Sequence, residues 1–136
     1  MISSIGIALS GLQAQSSRVT ASAANLAGQE SRGALPDASG AVPAGQPVAY
    51  QPVTSVQTAV GLSGTRASLQ PLTPAYIAQY EPDSSFADTE GLVAAPNVDD
   101  ASQMVTMMTA HRSYQANLAV LRTSDEMLGS LLHLKS

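Results

Sequence analysis

This sequence predicts a mainly α chain with a small β-rich insert. Long N- and C-terminal helices pair as a coiled coil, with a β-hairpin or meander and an extended loop between them. Two heptad stripes and a middle punctuated by Pro and Gly carry that reading. The stronger stripe lies in residues 99–135, where steps of three and four give Met104, Met107, His111, Tyr114, Leu118, Leu121, Asp125, Leu128 and Leu132. All but His111 and Asp125 are apolar or aromatic, no Pro interrupts the run, and its interior Gly129 falls near the end. At ~1.5 Å per residue the segment forms a rod of roughly 50 Å, much longer than the usual helix of ~11–12 residues. So narrow a stripe on so long a helix requires a partner helix.

The first element repeats the pattern at the other end: Ile2, Ile5, Leu9, Leu12, Ser16, Val19, Ala23 and Leu26 follow the same steps. Its remaining faces carry Ser, Ala, Gly, Gln and Thr, with Arg18 as the one charge, where a water-facing helix normally shows Lys and Glu. Small neutral side chains let other helices approach closely from several sides. Gly6 and Gly11 weaken intrinsic helicity by up to ~1 kcal/mol each relative to Ala, so this helix is expected to order only when its stripe is covered. Docking on its own domain is the plainer alternative.

Gly28, Gly33 and Pro36 end that helix, and residues 34–47 read as a loop rich in Pro and Gly. Short β-leaning runs follow over 48–60 (broken at Pro52), 65–72 and 76–80, separated by Gly61 and Gly64. Residues 81–96 are expected as an extended acidic loop carrying Phe86, after which Asn97, Asp99 or Asp100 caps the long helix. The units are thus 1–33, an N-terminal helix with its loop; 34–97, the β-rich insert and acidic loop; and 98–136, the C-terminal helix.

Composition narrows the function. Leu, Ile, Val and Phe make up about a fifth of the 136 residues, close to the level at which chains fail to fold alone. A fold completed by neighbouring subunits is the economical reading. The net charge of −4, with one Lys and five scattered Arg, gives no basic field for nucleic acid. The uncharged N-terminus lacks the positive region of a secretory signal, and Ser3, Ser4, Gly6, Ser10, Gly11 and Gln13 break its apolar run too often for a membrane span.

Chemistry finds little purchase. His111 and His133 stand 22 residues apart on one helix, ~33 Å, and cannot share a metal. His111 reads as a polar residue setting seam register. Asp83, Asp88 and Glu90 lack the ligand alternation and central Gly of a calcium loop, so they read as a solvated loop. There is no Gly-x-Ser-x-Gly elbow and no phosphate-cradling Gly loop. Met104, Met107 and Met108 sit at helical spacing and read as core. No catalytic residue, metal, cofactor, nucleic acid or small-molecule substrate is expected.

From Tyr80 onward a set of short motifs occurs together and in order: Tyr80-Glu81-Pro82, Ala87-Asp88, Gly91-Leu92-Val93, Pro96-Asn97-Val98-Asp99, Met104-Val105 and Arg112-Ser113-Tyr114-Gln115-Ala116-Asn117. Near the other end stands Ala24-Asn25-Leu26-Ala27, with Ser31 and Gly33 following. This combination resembles the bacterial flagellar basal-body rod proteins, nearest their short proximal-rod members. The likeness covers both helices and the acidic loop, roughly half the chain. Gly28 stands where the family signature has a second Asn, Ala34 where it has an aromatic, Gln103 where Glu is usual and Leu92 where Tyr is usual. Thr123-Ser124-Asp125-Glu126-Met127-Leu128 is more similar to distal-rod and hook relatives, which are much longer.

The resemblance implies a structural subunit exported unfolded through the flagellar type III channel without signal cleavage. Terminal helices then pair and stack into a hollow helical drive shaft spanning the periplasm. Its implied partners are other copies, other rod proteins, the membrane-embedded basal ring and the export gate. It also implies that Asn25 and Asn117 hydrogen-bond near turns and seams and that Tyr114 anchors packing. Rival readings are an export-linked adaptor binding a partner helix, or a divergent distal-rod or hook-type paralogue.

Overall fold

The computed structural model describes residues 2–37 and 40–133. Helix α1 (Ile2–Gly28) and helix α2 (Asp100–His133) bracket two antiparallel strand pairs: β1 (Val53–Ala59) with β2 (Thr65–Pro71), and β3 (Tyr76–Tyr80) with β4 (Leu92–Pro96). The expected mix of long terminal helices and a small β part is therefore present. Two corrections apply to the middle. The β part is two separate hairpins rather than one meander, and the end of the expected acidic loop is a strand, β4.

Each boundary has a local cause. Asp99 caps α2: its Oδ1 accepts from the Ala101 amide at 3.2 Å, and its carbonyl accepts from the Gln103 amide at 3.0 Å. A 3-10 turn (Gly61–Ser63) closes the first hairpin, and Gly64 there holds φ at 101°, a backbone state side chains resist. The 81–91 loop is folded by Asp88, whose Oδ1 accepts from the Glu90 and Leu92 amides at 2.8 and 2.9 Å. That turn delivers Leu92 into β4. Asp88 is thus occupied in shaping the loop.

The tightest core is small and lies where the motifs meet. Ala34, Ala49, Pro52 and Val93 to Ala95 are buried, and Gly33 exchanges two backbone bonds with Ala94 at 3.2 and 2.9 Å. A Cβ on Gly33 would fall within 2.6 Å of the Ala49 nitrogen and the Pro47 oxygen, so backbone approaches backbone there. Neither helix is long and apolar enough to cross a membrane.

The helices pack antiparallel, and the faces they use are the main surprise. Asn25 meets Gln103 near one end, and Gly11 meets Asn117 further along. The α1 side of this interior is Ala8, Leu12, Ala14, Ala21, Ser22 and Asn25; the α2 side is centred on Ala110 and Ser124, with Ser113, Asn117 and Leu121 half-buried. That face lies about one residue around α2 from the expected stripe. Small side chains win the contact because they bring the axes closer, and Met104 and Tyr114 rotate outward. α1 is also covered by the β1–β2 hairpin, so part of its surface is met within its own chain.

Candidate assembly surface

Asn25 is the node from which the surface is built. Its side chain is 2% exposed, and its amide acts as a short strand partner to β1. Nδ2 donates to the Val53 carbonyl at 2.8 Å and to Gln103 Oε1 at 3.3 Å, while Oδ1 accepts from the Val53 amide at 2.9 Å and from the Tyr50 hydroxyl at 3.2 Å. One side chain thereby ties α1, the hairpin, the loop before it and the start of α2. Burial pushes the Tyr50 pKa above its ordinary value of 10.0.

Around this node the short motifs interlock. Ser31 Oγ accepts from the Tyr50 amide at 2.7 Å, and Arg32 pairs with Glu81 at 2.9 Å with both side chains partly exposed. Asn97 donates its amide to the Ala75 carbonyl at 2.9 Å and Nδ2 to the Pro74 carbonyl at 3.0 Å, holding the turn before β3. Pro96 is buried and its carbonyl accepts from the Val98 amide. With its amide turned toward α2, Gln29 donates to the Asp100 carboxylate. Gly28 is open because the Tyr50 ring lies where its Cβ would stand.

The expected seam residues divide. Leu12 is buried; Ile5, Val19, Leu26, Met107, Leu118, Leu121 and Leu128 are half-buried. Leu9, Met104, His111 and Tyr114 face outward, Leu9 at 49%, Met104 at 55% and Tyr114 at 38% exposure. The side chains of Ile2 and Leu132 lie outside those described. In the Ala24 to Ala27 motif, Asn25 is inside, Ala24 and Leu26 are half-buried and Ala27 is exposed. In the Arg112 to Asn117 motif, Ser113 and Asn117 turn toward α1, while Arg112, Tyr114, Gln115 and Ala116 point away.

What remains exposed is unusual in amount. Met104, Val105, Met108, Val120, Met127 and Leu131 line the outside of α2. Leu62, at the hairpin tip, is 95% exposed. The chain presents 8855 Å² to solvent, whereas a compact monomer of its mass presents about 6,700 Å². An open groove of about 600 Å³ between α1, β1 and α2 adds to this, lined by Arg18, Ser22, Ser55, Ser102 and Thr106.

Sequence reasoning missed Tyr50, Arg32, Glu81 and Ser10 as tie points. Of these, Ser10 had the least signal: its Oγ accepts from the Thr65 amide at 3.1 Å, a contact across 55 residues. Gly11 carried a usable signal, a Gly inside a run of Ser, Ala and Gln with no turn to explain it.

Comparison with known proteins decides the family. The flagellar basal-body rod protein FlgC of Salmonella typhimurium is 40% identical over 127 residues, covering 90% of this chain and 88% of the relative. This chain belongs to the FlgC family of flagellar basal-body rod proteins. The FlgC of Agrobacterium fabrum is 33% identical over 132 residues, with 94% and 90% covered, and that of Yersinia enterocolitica is 37% identical over 127 residues. Residues 89–134 also match the family model described as flagellar basal body rod FlgEFG protein C-terminal. FlgC membership makes the chain a structural component of the basal-body rod, located in the flagellar basal body.

Proposed function

We propose that this FlgC-family chain is a proximal-rod subunit whose outward helix faces are completed by neighbouring copies and other rod proteins. The observation that carries this reading is the excess of exposed surface, about a third above a compact monomer, with large apolar side chains along α2. In the assembled rod the outward face of α2, carrying Met104 and Tyr114 of the expected seam together with Met108, packs on a neighbour, while the small-residue face stays within the subunit. Torque then passes through side-chain packing rather than through chemistry. Export through the type III channel without signal cleavage, contact with the basal ring and export gate, and a hollow tube conducting export substrates complete the proposal. The adaptor alternative differs in giving a soluble complex of fixed stoichiometry with no open-ended growth.

The test separates the two faces of α2. Met104→Glu combined with Met108→Glu alters exposed positions, so the purified chain should unfold within about 0.5 kcal/mol of wild type. In cells the double variant should be absent from isolated basal bodies and abolish swimming. Normal incorporation of that variant would overturn the seam.

A further inference from the structure

One strand edge stands apart in its backbone hydrogen bonding. Outward groups on β4 are all taken: Ala94 by Gly33, Leu92 by Asp88 at both its amide and its carbonyl, and the Pro96 carbonyl by Val98. β3 differs. Its inward bonds follow the register Ile77 with Ala95 and Gln79 with Val93, leaving the amides and carbonyls of Tyr76, Ala78 and Tyr80 facing away from β4 with no hydrogen bond among the described residues. This strand, Tyr-Ile-Ala-Gln-Tyr, carries no charge and no Pro, the devices that normally protect an open edge. Such an edge is a template for an added strand.

The same chain carries a matching edge. In the first hairpin the outward positions of β2 are Thr65, Ala67, Leu69 and Pro71. Ser10 takes the Thr65 amide and Pro71 has none, so half-buried Ala67, beside an open cavity against α1, and exposed Leu69 keep outward groups with no partner among the described residues. Because α1 holds β2 near the hairpin tip through Ser10 and β1 near its base through Asn25, it crosses beneath the hairpin diagonally. Ser68 to Pro71 are left exposed.

We infer that β2 of a second copy adds to β3, antiparallel, making a four-stranded sheet β4–β3–β2–β1 across the subunit boundary. Charge fixes the direction. Arg66 is the sole charge between residues 38 and 80, and the exposed carboxylates Asp83 and Glu90 follow β3. Antiparallel pairing brings Arg66 of the second copy to that acidic end; parallel pairing carries it to the Pro74 end. Alternation of open groups leaves registers two residues apart, and the one that pairs both Ala67 and Leu69 while carrying Arg66 past the end of β3 sets Ala67 opposite Tyr80, Leu69 opposite Ala78, and Ser68 opposite Gln79. The contact is heterologous, using different surfaces on each copy, which suits open-ended growth. It rests on the assembly reading above and specifies one of its contacts.

The chain has no Cys, so introduced thiols report cleanly. Ser68 and Gln79 are exposed, and in this register they form a close pair with Cα atoms ~4.5 Å apart, within disulfide range. Ser68→Cys and Gln79→Cys variants are co-expressed, basal bodies are isolated, and mild oxidation is applied. The expected result is a cross-linked dimer of the two variants, at least tenfold above either variant alone and above Ser68→Cys mixed with Ala78→Cys. Rods containing both variants without that dimer would overturn the contact. Absence of the wild-type chain from rods would instead defeat the assembly reading. Ala78→Pro supplies a second readout, since it removes an outward amide and spares the ladder to β4. Incorporation should fall at least tenfold, and wild-type incorporation would also overturn the proposal.

Discussion

Replacing Asn25 by Ala removes the side chain that joins four parts of the chain. Its four hydrogen bonds do not count equally. Gln103 lines the open groove, where water can replace what it loses, and the half-buried Tyr50 loses a single bond. Val53 lines the same groove, yet it loses the partners of its amide and its carbonyl at once, at ~1–3 kcal/mol each. A total loss of about 3 kcal/mol follows, a large share of the ~5–15 kcal/mol that holds a domain together. In urea, with a slope of ~2 kcal/mol per molar, the unfolding midpoint of the purified chain should fall by about 1.5 M. Asn25→Asp provides the sharper control. It keeps the acceptor for Val53 and Tyr50 but turns the donor into a second acceptor facing the Val53 carbonyl. Burial and that carbonyl favour the protonated acid in the folded state. Its folded pKa therefore rises above the unfolded value of ~3.9, and the variant should lose stability as pH climbs from that value through the folded one. A midpoint shift under about 0.3 M for Asn25→Ala, or an Asn25→Asp variant as stable as wild type at neutral pH, would refute the node.

Gly33→Ala should cost about 2–3 kcal/mol, because its Cβ meets backbone of Ala49 and Pro47 that has no room to yield; urea unfolding and swimming on soft agar both read it. Gly28→Asn should destabilise by ~1–3 kcal/mol through collision with the Tyr50 ring, and adding Tyr50→Ala should recover part of that loss, so a double-mutant cycle will show coupling. Tyr50→Phe should cost about 1 kcal/mol at neutral pH through the lost bond to Asn25. The wild-type tyrosine has its folded pKa raised by burial, so its stabilising contribution holds below pH 10.0 and is lost as pH rises beyond it. Stability curves of wild type and Tyr50→Phe should therefore converge in alkali.

Two helices, the second capped by Asp99, and three of the four strands are legible in the residues alone. These follow from local rules: periodicity, breakers and caps act over a few residues. The family is legible too, because the Pro96 to Asp99 motif before α2 and the Arg112 to Asn117 motif in its middle stand in order. β4 was legible as a short apolar run after Gly91, but the acidic residues before it disguised the strand. Tertiary structure alone decided which face of α2 turns inward. Two adjacent stripes compete on that helix, one bulky and one small, and periodicity favours the bulky one. Only the approach of Gly11 to Asn117 shows that the small stripe sets the spacing within the subunit, leaving Met104, His111 and Tyr114 of the bulky stripe exposed and Leu118, Leu121 and Leu128 half-buried. Likewise, no local pattern links Asn25 to Val53 or Ser10 to Thr65. Those bonds join residues 28 and 55 positions apart, a proximity that exists only once the hairpin lies across α1.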